Sequence, residues 1–445
     1  MKNTIQLSDH MTYKKLLKFT LPSIAMMVFT SIYGIVDGLF ISNFVGKTAF
    51  AAVNLVMPVL MMVGGLGFMM GTGGAALVAK TLGEKNEERA NKIFSQIVYF
   101  TMILAVIASV ILFLLISDIA VLLGASEEML PYCVTYGKIL ICGNIFFMLQ
   151  NLFQNFYMTA ARPQYAFRTS LVAGVTNMIG DALLVGVFKF GVAGAAVATI
   201  ASQAVGALIP FIYFARKNST VLRLIKAKFE FKIIFQAMFN GSSELLSNIS
   251  SSIVGIVYNK QLMSYAGENG VAAYGVIMYV SFIFVAVFIG YAIGTAGFVS
   301  YNYGASNNEE LKNIRKRSYN INMVFGISMV IACFLLAKPF AYIYVSYDET
   351  LLEMTTTALR IYAISFLVTG CNIFTSSFFT ALNNGLVSAI ISMLRTLVFQ
   401  VGSVLLLPII LGGVNGIWAA IIVAEAMSMI IGVTFLITNR KKYNY

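Results

Sequence analysis

Residues Leu21 to Gly46 read LPSIAMMVFTSIYGIVDGLFISNFVG, a run whose one charged side chain is Asp37. About 20 mostly apolar residues in a helix cross the hydrocarbon of a bilayer. A cleavable leader carries a shorter apolar core, of roughly 7–15 residues, behind a charged start. This stretch is therefore expected to be a first membrane span that stays in the protein.

The same reading extends outward along the chain. Of 445 residues 59% are apolar and only 11% charged, with a mean hydropathy of +0.84. A soluble domain carries roughly 25% charged residues, so this chain cannot cover itself for water and lipid is its solvent. Apolar runs predict twelve spans near 16–41, 50–79, 93–116, 132–160, 165–187, 193–215, 235–262, 271–301, 318–346, 359–382, 386–410 and 415–438. The basic residues then sort by side. The tail, the even-numbered connections and the C-terminus hold most of the thirty Lys and Arg. Lys47, Lys138, Lys189, Lys260, Lys338 and Arg360 fall on the other side, and Arg395 lies within span 11. The positive-inside rule places both termini in the cytoplasm of a cell-membrane protein, and the even span count agrees. The formal charge of +12 is thus spread over short loops, which argues against nucleic acid as a partner. The lipid bilayer and a small-molecule substrate are the expected partners, and the chain is expected to act as a monomer.

The two halves repeat at an offset of 221 residues. GGAALVAKTLGEKNEE from Gly73 lies over GTAGFVSYNYGASNNEE from Gly294, matching Gly83 with Gly304, Asn86 with Asn307 and Glu88 with Glu309. FAAVNLVMPV from Phe50 lies over VAAYGVIMYV from Val271, and GIV at Gly34 over GIV at Gly255. Six spans per half is an even number, so both halves enter the membrane from the same side and the repeat is parallel. The expected architecture is an all-α integral membrane protein: twelve transmembrane helices in two parallel six-helix bundles around a central cavity. The bundles cover 1–215 and 235–445, with a basic linker at 216–234.

Four acids lie within spans: Asp37, Asp181, Glu244 and Glu425. Each costs roughly 2.5–3.5 kcal/mol at mid-membrane if charged and alone, and few bases are available to pair with them. They must be protonated, hold a cation or line water. Asn177 stands one turn before Asp181 and Tyr33 one turn before Asp37, each pair on one helix face. Thr199 and Gln203 share a face of span 6. Span 4 carries Asn144, Asn151 and Asn155 with Gln150 and Gln154 alongside, and Asn248 follows Glu244 by one turn. Interhelical hydrogen bonding is the plain reading of each lone amide; it does not account for the two carboxyls of the first half. Glu425 aligns with Gln203, and its role stays open between a helix contact and a functional acid. Pro22 permits a bend in span 1 and is a candidate hinge. The glycine runs of span 2 suit close packing in lipid, since no lysine follows at phosphate-loop spacing. His10 is the one histidine, and Cys133, Cys142, Cys333 and Cys371 show no ligand spacing, expected instead as small buried hydrophobes. Histidine catalysis, histidine metal sites and cofactors are not expected, and no loop carries the paired-aspartate run that a membrane-embedded enzyme would need for Mg²⁺ and diphosphate.

The first-span run, NMIGD at Asn177 to Asp181, and the following GVAGAAVATIASQ resemble the multidrug and toxic compound extrusion (MATE) family over nearly the whole chain, in its DinF-like prokaryotic branch. The resemblance implies a cation or proton site at Asp37, Asn177, Asp181 and Thr199, a hinge at Pro22, and a span 7 glutamate at Glu244. Tyr33, Asn151, Asn155, Gln203 and Glu244 are candidates for the cavity and substrate. The NorM-like branch also uses a span 10 aspartate, and span 10 here has none. The function implied is export of organic, cationic or amphipathic compounds by alternating access, coupled to H+ or Na+ entry. The rival is a flippase for a lipid-linked oligosaccharide or another amphipathic lipid. Its anionic cargo calls for a basic cavity, whereas Arg395 is the one base at mid-span.

Overall fold

The computed structural model describes residues 5–445, so Lys2 of the basic tail lies outside the described residues. These fold into α1 (Tyr13–Phe40), α2 (Lys47–Gly83), α3 (Glu87–Leu122), α4 (Leu130–Thr159), α5 (Pro163–Asp181) and α6 (Gly191–Ala215), then α7 (Phe231–Gly304), α8 (Asn308–Val345), α9 (Glu349–Ala363), α10 (Phe366–Ala381), α11 (Gly385–Met393), α12 (Gln400–Leu411) and α13 (Val414–Tyr443). Three wider π segments, Ile41–Val45, Ala182–Val187 and Leu394–Phe399, continue α1 and α5 and join α11 to α12.

Ten of these continuous stretches are long and apolar enough to span a membrane, and the α9–α10 pair, bent by 48°, adds an eleventh. α7 is 74 residues long, which at 1.5 Å per residue would reach about 110 Å. It cannot be one crossing. Gly267 breaks it, with φ of 61°, and the rings of Tyr258 and Tyr274 stack with centroids 4.8 Å apart. Sixteen positions of straight helix would hold them about 24 Å apart, so the chain folds back at Gly267 and α7 supplies two spans. The expected twelve result, in two six-helix halves. The bend between α9 and α10 was not expected: Ser365 and Thr369 hydroxyls bond the carbonyls of Tyr362 and Ser365, and the backbone there tightens into i+3 bonds. Such back-bonding and local rewinding bend helices.

The residues shared by the repeat have definable tasks. Asn86 caps α3 by accepting from Arg89 N, and Asn307 caps α8 by accepting from Glu310 N; acids follow in both first turns, where they suit the helix dipole. Gly73 packs on the Ala237 carbonyl and Gly241, while its counterpart Gly294 packs on Thr20 and Ser23. Thr20 and Gly241 are themselves 221 apart, so α2 meets the start of α7 as the end of α7 meets α1. This is a pseudo-two-fold axis running along the spans.

On the face carrying both termini, one apolar core joins the halves, drawing on Leu7, Met70, Phe94, Phe156, Phe298 and Phe378. Toward the opposite face each half has its own core, around Val53 and Tyr136 in the first and around Tyr258 and Trp418 in the second. The halves are therefore packed together at the terminal face and separate away from it.

Two polypeptide straps reinforce the closed face. The N-terminal tail crosses to the second half: Met11 N donates to Glu310 Oε1 at 2.9 Å, His10 Nδ1 lies 2.7 Å from Glu310 Oε2, and Asn302 and Asn313 donate to the Leu7 and Met11 carbonyls. The linker runs from 216 to 230, shorter than the expected 216–234 because Phe231 to Ile234 already form the first turn of α7. It lies extended along α3. Asn91 accepts from Arg223 N, Ser95 from Ile225 N and Gln96 from Glu230 N, and Arg89 grips Glu230 with both Nη atoms at 2.5 and 2.7 Å. Arg89 holds the Glu230 carboxyl below its ordinary range through that hydrogen bond. Cys133, Cys333 and Cys371 are buried as expected, but Cys142 is exposed on the outer side of α4.

Candidate ion-coupling and transport site

Close approach of small residues draws three helices of the first half together. Gly174 of α5 admits the rings of Phe29 and Tyr33 of α1, and Gly180 of α5 lies against Ala198 of α6. Asp37 stands one turn beyond Tyr33, while Asp181 directly follows Gly180 and Thr199 directly follows Ala198, so this packing brings their helices together beside them. Asp181 is fully buried, Asn177 is 2% exposed and Asp37 9%. The two carboxyls lie within electrostatic reach of one another. Asp37 precedes one π segment by a turn and Asp181 opens another, and π turns of this kind recur at functional sites.

The oxygens gathered here lack protein partners. Asp37 Oδ1, Asn177 Oδ1, both carboxyl oxygens of Asp181 and Thr199 Oγ1 are all enclosed without a hydrogen bond. Each such atom costs about 1–3 kcal/mol if nothing satisfies it, and two neighbouring carboxyls add their mutual repulsion. A set of oxygen donors with two acids suits a proton or a hard monovalent cation. Tyr136, not singled out from the sequence, is fully buried with its hydroxyl unpaired, within electrostatic reach of both carboxyls. Its place on α4, away from the amide-rich stretch, gave no periodic signal.

Thr199 and Gln203 also line a cavity of about 50 Å³ with Asn144, Phe147, Leu140 and Met57. The remaining candidates distribute differently. Tyr33 is half-buried, near Gln150 and Asp37. Asn155 Nδ2 lies against Gly71 of α2 and donates to the Asn151 carbonyl, and Asn151 Nδ2 is buried without a protein partner. Gln154 and Asn144 donate to Ser170 and Ser109 on adjacent helices. Glu244, on α7, has its main-chain carbonyl bonded by Asn248 and holds no ion pair among the described residues. Helix α1 runs unbroken through Pro22.

Glu425 departs from expectation: it has a base. Arg395 donates from Nε and Nη2 to Glu425 Oε1 at 2.9 and 2.7 Å, and Asn372 Nδ2 donates to Oε2 at 2.6 Å. The pairing joins three spans that the sequence leaves 30 and 53 positions apart, which is why it was not legible there.

Comparison with known proteins agrees with this architecture. The MatE family model matches residues 22–183 and again 245–405, one copy on each half of the repeat. The chain is 27% identical to the multidrug export protein MepA of Staphylococcus saprophyticus over 422 residues, covering 93% of this chain and 91% of that one. It is 25% identical to MepA of Staphylococcus aureus over 417 residues, with the same coverage. Among solved structures, a MATE protein in complex with MaL6 superposes with a TM-score of 0.94 at 23% identity over all of both chains. An outward-facing multidrug resistance MATE transporter of the MOP superfamily gives 0.93, at 23% identity over 100% of this chain and 99% of that one. With each half matched by the family model and the whole chain sharing the fold, this protein is a multi-pass membrane transporter belonging to the MatE family, and not an enzyme.

Proposed function

We propose that this transporter is an antiporter that exports organic, cationic or amphipathic compounds and is driven by H+ or Na+ entering through the site at Asp37, Asn177, Asp181 and Thr199. The observation that carries the reading is a set of five buried oxygens without protein partners, three from the carboxyls of Asp37 and Asp181 and one each from Asn177 and Thr199. The names of the staphylococcal relatives support the cargo class, and the acidic first half supports a positive charge on it. With both termini cytoplasmic, as the basic loops indicate, the packed face is the cytoplasmic one and the arrangement is outward-facing. One positive charge moving down 100 mV releases about 2.3 kcal/mol, and a tenfold gradient of the same ion adds about 1.4 kcal/mol. That suffices for an uncharged cargo gradient of several hundredfold. The flippase reading fits less well, because an anionic pyrophosphate calls for a cavity lined by several bases, and Arg395 is the one base at mid-span.

The test is counterflow in proteoliposomes with the H+ and Na+ gradients imposed one at a time. Cargo movement that follows one of them supports antiport. Movement indifferent to both contradicts it.

A further inference from the structure

The second half contains a polar centre that the coupling site does not use. Arg395 spends Nε and Nη2 on Glu425, while Nη1 has no protein partner and is not enclosed. The arginine side chain is 19% exposed and the glutamate behind it 4%. A guanidinium held only for helix packing would direct all its donors into protein, since a bare N–H at membrane depth must meet water or ligand. Asn372, 1% exposed, holds the carboxylate from another side by donating Nδ2 to Glu425 Oε2. The chain is also wound as a π segment from Leu394 to Phe399, around Arg395 itself, as it is after Asp37 and Asp181. Tyr258 and Tyr362, both buried, lie within electrostatic reach of Glu425.

We infer that Arg395 is a docking point for an acidic group of the cargo, a carboxylate or sulfonate, which its free Nη1 edge receives while Glu425 holds the opposite edge. Guanidinium forks bridge two oxyanions in this way, with directional, charge-assisted bonds. The transporter then selects zwitterionic amphiphiles: the positive part is drawn to the acidic first half and the negative part to Arg395. This rests on the reading of the protein as an exporter of organic cations and adds a second recognition point to it.

The experiment compares a rhodamine carrying a free carboxylate with its methyl ester, two dyes that differ in that acid alone. Binding to the purified full-length protein is followed by fluorescence polarisation. Wild type is expected to bind the acid about tenfold more tightly than the ester, the worth of one charge-assisted hydrogen bond. Arg395→Gln should bring the ratio to unity, and Arg395→Lys should keep part of it. Because Arg395→Gln strands Glu425 as a buried charge, the double variant Arg395→Gln/Glu425→Gln, neutral on both sides, is measured in parallel and should also show a ratio of one. An undiminished preference for the acid in the folded double variant would overturn the inference, as would equal binding of the two dyes by wild type. Binding of neither dye would overturn the organic-cation reading together with it.

Discussion

Gly83 and Gly304 are images of one another at the crossing of α2 with the end of α7. A Cβ on Gly83 would stand 2.0 Å from the Tyr301 carbonyl, and one on Gly304 would stand 2.0 Å from the Lys80 carbonyl. Lys80 and Tyr301 are also 221 positions apart, so the pseudo-two-fold axis passes between these two glycines. Any motion that parts the halves at the terminal face must break this contact.

Gly83→Ala and Gly304→Ala should each prop that face apart. Overpacking costs about 1–3 kcal/mol, which tilts the balance between open and closed forms by about five- to 150-fold. Spin labels on the ends of α2 and α7 should show a longer distance in either variant, with membrane insertion unchanged. Unaltered distances would mean that the backbone there yields more easily than its packing indicates.

Asp37 and Asp181 should behave as one unit. Asp37→Asn or Asp181→Asn alone is expected to lower gradient-driven transport about a hundredfold or more, and the double variant to be no worse than either single. Full driven transport by one purified variant would exclude that residue from coupling.

How much of this was readable in the sequence follows from distance along the chain. The 221-residue offset announced the pseudo-two-fold axis, since matched residues such as Asn86 and Asn307 perform the same cap on two helices. Asp37 with Tyr33 and Asn177 with Asp181 were legible because one helical turn is a fixed spacing. Arg395 with Glu425, Arg89 with Glu230 and His10 with Glu310 were not, because each pair joins separate elements and only the packing decides which faces meet. The α9–α10 bend escaped for a related reason: hydroxyl back-bonding at Ser365 depends on the local backbone and leaves no periodic mark.

The linker should be fastened in a pH-dependent way. Arg89 lowers the Glu230 carboxyl, so the fastening is complete above the ordinary glutamate range and is lost as the pH falls through the lower folded value. Both side chains are more than one-third exposed, and solvent screening keeps the effect small. Hydrogen exchange of residues 221–230 should be flat, after correction for intrinsic rate, from pH 7 to about 5 and rise only once the pH has fallen below the ordinary glutamate range. Arg89→Gln should show the faster exchange at neutral pH already.

Pro22 removes one backbone bond from α1 about four turns before Asp37, which lowers the cost of bending that helix. If the bend responds to ion occupancy, label distances between α1 and α5 should shift with pH or sodium in wild type and lose most of that shift in Pro22→Ala. An equal response in the variant, with transport retained, would make the proline a fixed structural element.

Because the coupling acids also supply the negative charge that draws a cationic cargo, cargo and ion are expected to compete for the first half of the transporter, and ion release on cargo binding measures this most directly. The methyl-ester rhodamine is added to purified protein in lightly buffered solution, with released protons read by an indicator dye and released sodium by tracer. The account predicts release of one of the two ions, saturating with dye binding, from wild type and none from Asp37→Asn or Asp181→Asn. Saturable dye binding with neither ion released, or release that persists in both variants, would contradict it.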